Sequence, residues 1–170
     1  MRPIPSTYSD HLSHYVNIVE GDDFLHALKT QSNQMENLLD SISDEKSNFK
    51  YGENKWTIKE VILHLADAER VFAYRALAIA RGEKNALPNF DENSYAVFSH
   101  ANERKWSDLI DEFFATRKSS EVLLQSFSEI DLNQTGTASG SPISVLALCF
   151  IIVGHAAHHV NILRDRYLVG

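Results

Sequence analysis

Apolar residues recur at steps of three and four through four long stretches of this 170-residue chain, and little inside them breaks a helix. A helix turns about 100° per residue, so that spacing draws one continuous stripe along each stretch. Phe24, Leu28, Gln31, Met35, Leu38 and Ile42 form the first stripe, with Asp22 or Asp23 available as its cap. The second opens on Thr57-Ile58-Lys59-Glu60, in which Thr57 and Glu60 can satisfy each other's free amides. It continues through Val61, Ile62, Leu65, Phe72, Ala76 and Ile79, and Gly82 is a natural stop. The third runs from Asn102 or Glu103 to Phe127, with Trp106, Leu109, Ile110, Phe113, Leu124 and Phe127 inward. For the fourth, Ser141 and Pro142 suit the N-cap and first helical position, and the helix should end near Tyr167.

The intervening segments read as connections. Residues 83–101 form a long one containing Pro88, with a short helix expected at Asp91-Glu92-Asn93-Ser94-Tyr95, and Thr135 to Pro142 reads as a loop. No strand-type alternation of useful length is visible, and Gly 7 and Pro 4 are too few for a turn-rich β fold. No stretch rich in Gly or Ser divides the chain. The expectation is one all-α domain over residues 1–170: a four-helix bundle with a long connection between its second and third helices. Residues 1–20 would pack on it as an N-terminal extension.

Composition excludes several functions. A net charge of −7 disfavours non-specific binding to DNA or to an anionic membrane. The N-terminal MRPIPSTYSDHLSHYV lacks the apolar core of a secretory signal, and the longest apolar run, Val145 to Val153, is shorter than the roughly 20 residues that span a bilayer. The single cysteine, Cys149, lies inside that run and reads as a buried, inert thiol; a reducing cytoplasm is expected. Phosphate-binding glycine loops, a dinucleotide fingerprint and a nucleophile elbow are all missing.

The histidines carry the chemistry. His155 and His159 are four apart on the last helix, on the stripe of Leu148, Ile151, Ile152 and Ile162 that should face the bundle interior. Two buried imidazoles that could both become cationic are costly, and a shared metal ion removes the cost by taking them as neutral ligands. A third histidine would leave an open coordination position, the arrangement of a catalytic site. His64 on the second helix could supply it, and His11, His14, His26 and His100 compete. His158 is rotated off the pair's axis, as a supporting or rim residue. The run His155-Ala156-Ala157-His158-His159 lacks the glutamate of a zinc-protease helix, and no Glu-x-x-His on this helix suits a di-iron bundle. Asp67, about 60° round the helix from His64, and Glu69, within the apolar arc, are candidate acid/base groups.

These residues resemble the DinB-like, YfiT-like superfamily over nearly the whole chain. The resemblance rests on Tyr15 to Asp22, on the segment Lys55-Trp56 to His64 and on to Arg70, on Phe90 to Tyr95, and on Gly154-His155-Ala156-Ala157-His158-His159-Val160-Asn161-Ile162-Leu163. It implies a four-helix bundle, often a homodimer, holding a divalent metal through His64, His155 and His159, and three neutral nitrogens suit zinc or nickel first, then iron. Members commonly continue Arg-Gly-Gln after the last histidine, where this chain has Val160-Asn161-Ile162. Such relatives include thiol-dependent transferases and isomerases and proposed hydrolases. A metal-dependent enzyme acting on a small molecule, with a low-molecular-weight thiol as a candidate partner, is the first expectation. A non-catalytic metal-binding or stress-response bundle is the second. The open metal position should face a pocket walled partly by the 83–101 connection.

Overall fold

The computed structural model describes residues 1–169. In chain order its helices and strands are α1 (Ser13–Ile18), α2 (Phe24–Asp40), α3 (Asp44–Ser47), α4 (Ile58–Ala80), α5 (Glu92–Phe98), α6 (Trp106–Gln125), α7 (Glu129–Leu132), β1 (Thr135–Ala138), β2 (Ser141–Ser144) and α8 (Val145–Ile162). The four long helices, α2, α4, α6 and α8, form the bundle, and α4 packs against both α6 and α8.

Local chemistry explains where these helices begin. Asp23 caps α2, its Oδ1 accepting from the amides of Leu25 and His26, each at 3.0 Å. Thr57 and Glu60 close the reciprocal box of α4: the Thr57 amide donates to Glu60 at 2.7 Å and the Glu60 amide to the Thr57 hydroxyl at 3.1 Å. Asp91 caps α5 as Asp23 caps α2, accepting from the amides of Asn93 and Ser94. The stripes meet in the core, with two adjustments. Leu39 is buried where Leu38 is only half-buried, because α2 ends at Asp40 and Ile42 reaches the core from beyond it. Likewise α6 begins at Trp106, three or four residues later than expected, where the Trp106 amide donates to Asp44 at 3.2 Å.

One expectation is overturned. Residues 135–144 form a two-stranded antiparallel hairpin rather than a loop, pairing Thr135 with Ser144 and Ala138 with Ser141. Its two-residue turn, Ser139-Gly140, has φ of 50° and 75°, the left-handed pair that matches the twist of a tight hairpin. Four-residue strands are too short to show alternation, so the pattern hid them. Leu87 of the long connection joins as a third partner, donating to Thr137 O at 2.8 Å and accepting from the Ser139 amide at 3.1 Å. Pro142 therefore lies in a strand. Ser144, not Ser141, caps α8, with its hydroxyl accepting from the Ala147 amide at 3.1 Å.

From Val145 to Ala156 every residue of α8 is buried, so this is the central helix and not a one-sided one. With its final π-helical turn, it is the one helix among the described residues long and apolar enough to cross a bilayer, but 72% of its apolar window is buried in the bundle. Gly154 permits the closest approach on it: a Cβ there would stand 1.8 Å from the Tyr15 carbonyl oxygen of α1. Arg2 fastens that N-terminal segment, donating to the carbonyls of Val16 at 2.7 Å and Val19 at 2.9 Å.

Candidate metal centre

His64 comes from the second turn of α4, and His155 and His159 from successive turns of α8. Packing of α4 against α8 brings the three rings together with centroids 4.7–4.9 Å apart. One nitrogen from each lies within 4.8 Å of the others, and the Nε2 atoms of His64 and His155 are 3.1 Å apart. Two imidazole lone pairs do not face each other at that distance without a proton or a cation between them.

Burial sets the charge state. It lowers His64 to about 4 and His159 to about 3, the latter helped by His64 and His158. His155 lies well below the usual histidine value, first through burial and then through His159, His64 and His158. All three rings are neutral at pH 7 and offer lone pairs. Three neutral nitrogens converging on one point suit a borderline divalent ion such as zinc, nickel or iron. Aromatic packing holds the rings: Trp56 stands 4.8 Å from His64, Tyr15 5.3 Å and Phe72 5.6 Å from His155. Among the described residues no carboxylate hydrogen-bonds to any of the three.

A cavity of about 390 Å³ opens onto these rings. On α4, Ala68, Phe72 and Arg75 line it along the face that carries His64. Its other walls are His11, Leu12 and Tyr15 from the N-terminal segment and Ser139 from the hairpin. The long connection contributes Asn89, Phe90 and Glu92, so it does wall the site. Burial and then Glu92 raise the Tyr15 hydroxyl above its ordinary value.

Of the other sequence candidates, His11 and His158 line the cavity outside the histidine triad. His158 stands at the rim, its Nδ1 2.9 Å from His14 Nε2. His100 is exposed and pairs with Glu103 at 3.4 Å. Neither Asp67 nor Glu69 lines the cavity. Asp67 faces α6, bonded to Arg70 at 3.2 Å; burial raises its carboxyl, against the pull of Arg70. Glu69, about 140° round α4 from His64, is buried against Arg117 at 2.7 Å. Glu69 therefore joins α4 to α6 and Asp67 pairs within α4, and neither lines the cavity of the histidines. The carboxylate that does face the cavity is Glu92. Its place in an acidic, aromatic connection segment was visible in the sequence, but the fold of that connection over α4 was not.

Comparison with known proteins agrees with this geometry. Fold and size match YfiT from Bacillus subtilis, proposed as a metal-dependent hydrolase with an unusual four-helix bundle topology: TM-score 0.68 at 16% identity, covering 96% of this chain and 92% of that one. The mycothiol-dependent maleylpyruvate isomerase superposes with a TM-score of 0.69 at 13% identity, over 81% of this chain and 58% of its own. In sequence, 82 residues are 26% identical to a protein of Oceanobacillus iheyensis whose name proposes a metal-dependent hydrolase. That match spans 48% of this chain and 47% of the relative. The sequence pattern of the DinB superfamily runs through residues 27–163, from α2 to the end of α8 and across all three histidines, and the chain belongs to that superfamily.

Proposed function

We propose that this chain is a metal-dependent enzyme acting on a small molecule, either a hydrolase or a transferase using a low-molecular-weight thiol. The observation that carries this reading is three neutral imidazoles, their nitrogens within 4.8 Å, at the wall of an open cavity. A divalent ion held by His64, His155 and His159 would lower the pKa of a bound water or thiol and make a nucleophile near pH 7. The chain's own residues supply the rest. Trp56 packs on His64, and Tyr15 and Phe72 pack on His155, which restricts how far these two donors can turn. Glu92, the Tyr15 hydroxyl and the imidazoles of His11 and His158 are groups at the cavity wall able to accept or return a proton. The names of three similar proteins, two proposed metal-dependent hydrolases and one mycothiol-dependent isomerase, support the hydrolase branch and the use of a thiol.

Elemental analysis of protein purified without added metal should find about one divalent ion per chain. Loaded protein should then turn over at least one member of a panel of esters, amides and thiol adducts, and chelated protein none. Failure of the loaded protein across the whole panel would leave a metal-binding module instead of an enzyme.

A further inference from the structure

Three cationic side chains are buried in this molecule: Lys59, Arg75 and Arg117. Lys59 has Asp44 at 3.8 Å and Arg117 has Glu69 at 2.7 Å. Among the described residues, Arg75 alone of the three has no carboxylate partner, although it is only 7% exposed. Its Nη2 donates to the Pro88 carbonyl at 2.7 Å and the Ser139 hydroxyl at 3.0 Å. A buried, uncompensated guanidinium is unfavourable, and burial pulls its pKa below the ordinary arginine value. It remains a cation at pH 7.

Its location gives that charge a use. Arg75 follows His64 by eleven residues, three helical turns, and lines the same cavity. The Phe72 ring lies between the two ends, 6.0 Å from the guanidinium carbon and 5.6 Å from the His155 ring. Next to Arg75 an adjoining lobe of about 50 Å³ shares Phe72 and Ser139 with the main cavity. Ser9 lines this lobe, and its buried hydroxyl has no hydrogen-bond partner. Ser139, accepting from Arg75, keeps its own proton free to donate. Glu92, exposed on the same cavity, repels an anion, so the attraction must come from Arg75.

We propose that Arg75, Ser9 and Ser139 seat the carboxylate of the substrate, which is therefore a small carboxylic acid with its reacting group held several bonds away at the histidines. One cation, two hydroxyls and a small lobe suit a monoanionic carboxylate better than a phosphate dianion, which asks for more positive charge. The proposal rests on the reading of this cavity as an enzyme site.

Calorimetric titration of metal-free protein with phenylacetate, phenylacetamide and inorganic phosphate tests it without turnover. Phenylacetate should bind at least tenfold more tightly than the amide, and phosphate more weakly than phenylacetate. Arg75→Met should lose at least tenfold in phenylacetate affinity and keep its zinc affinity. If that variant does not fold, Ser9→Ala and Ser139→Ala should each weaken phenylacetate and leave phenylacetamide unchanged. Equal binding of acid and amide, tighter binding of phosphate, or variants indistinguishable from wild type would overturn the proposal. Acid-selective binding with no turnover by loaded protein would sink the enzyme reading alone. Turnover of acids and amides alike would sink this proposal alone.

Discussion

Charging His64, His155 or His159 is opposed because each ring is buried beside the other two. In the unfolded chain these histidines take up protons as pH falls through about 6.5. In the folded, metal-free protein they resist until about 4 for His64 and about 3 for His159. Between those limits the unfolded state binds more protons, so their contribution is intact above about pH 6.5 and is lost as pH falls toward 3–4. The urea midpoint of chelated protein should therefore drop between pH 7.5 and pH 5, and drop less in His159→Ala, which has one group fewer. A flat midpoint would mean that the rings protonate freely in the fold. The same substitution should lower zinc affinity more than about a hundredfold, beyond the effect of losing a supporting contact, with helical circular dichroism unchanged.

At the level of elements, periodicity identifies a helix face and leaves its partner open. His64, Ala68, Phe72 and Arg75 recur at steps of four, four and three, and this is the face of α4 that lines the cavity. Arg75 was not singled out from the sequence, and only the hairpin and the long connection show what it faces. The hairpin depends on Ser139-Gly140 at positive φ and on Gly136, where a Cβ would come within 2.8 Å of Ile79 Cγ1. Gly154 has a comparable role between α1 and α8. Gly154→Ala must push the Tyr15 backbone away, since the added carbon would meet its carbonyl at 1.8 Å. A loss of about 1–3 kcal/mol is expected, typical of overpacking. Thermal unfolding would measure it, together with faster proteolysis of the segment before Val19. A variant as stable and protease-resistant as wild type would show that α1 can lift without consequence.

Across the whole molecule, a buried polar chain ties the four long helices at one level. Arg117 of α6 bonds Glu69 of α4 and, at 2.8 Å, Gln31 of α2, whose amide reaches Val153 O of α8 at 2.8 Å. Removing one charge strands the other. Arg117→Met should cost roughly 3–5 kcal/mol, and pairing it with Glu69→Leu should recover much of that, read as urea midpoints. Additive losses would mean that the two charges do not depend on each other. The bundle should not depend on the ion in this way, because packing along the helix stripes supplies its stability. Chelation should leave the helical signal nearly intact, in contrast to zinc fingers, which unfold without metal.

Helix periods and caps are local properties. Thr57 with Glu60, Asp23, and the stripes through Phe72 and Phe113 therefore determined the four long helices and the all-α bundle from sequence alone. The shared face of His155 and His159 is local in the same sense, since four residues make about one turn. What the tertiary structure decided depends on contacts far apart in the chain: His64 meets His155 across 91 residues, and Arg117 claims Glu69 across 48. The hairpin needed Leu87 from the long connection to give its short strands a third partner. The cavity needed that connection, the N-terminal segment and the hairpin to close over one face of α4. No period within a single helix encodes which neighbour will cover it, and that neighbour separates Glu92 at the cavity wall from Glu69 in its pair with Arg117.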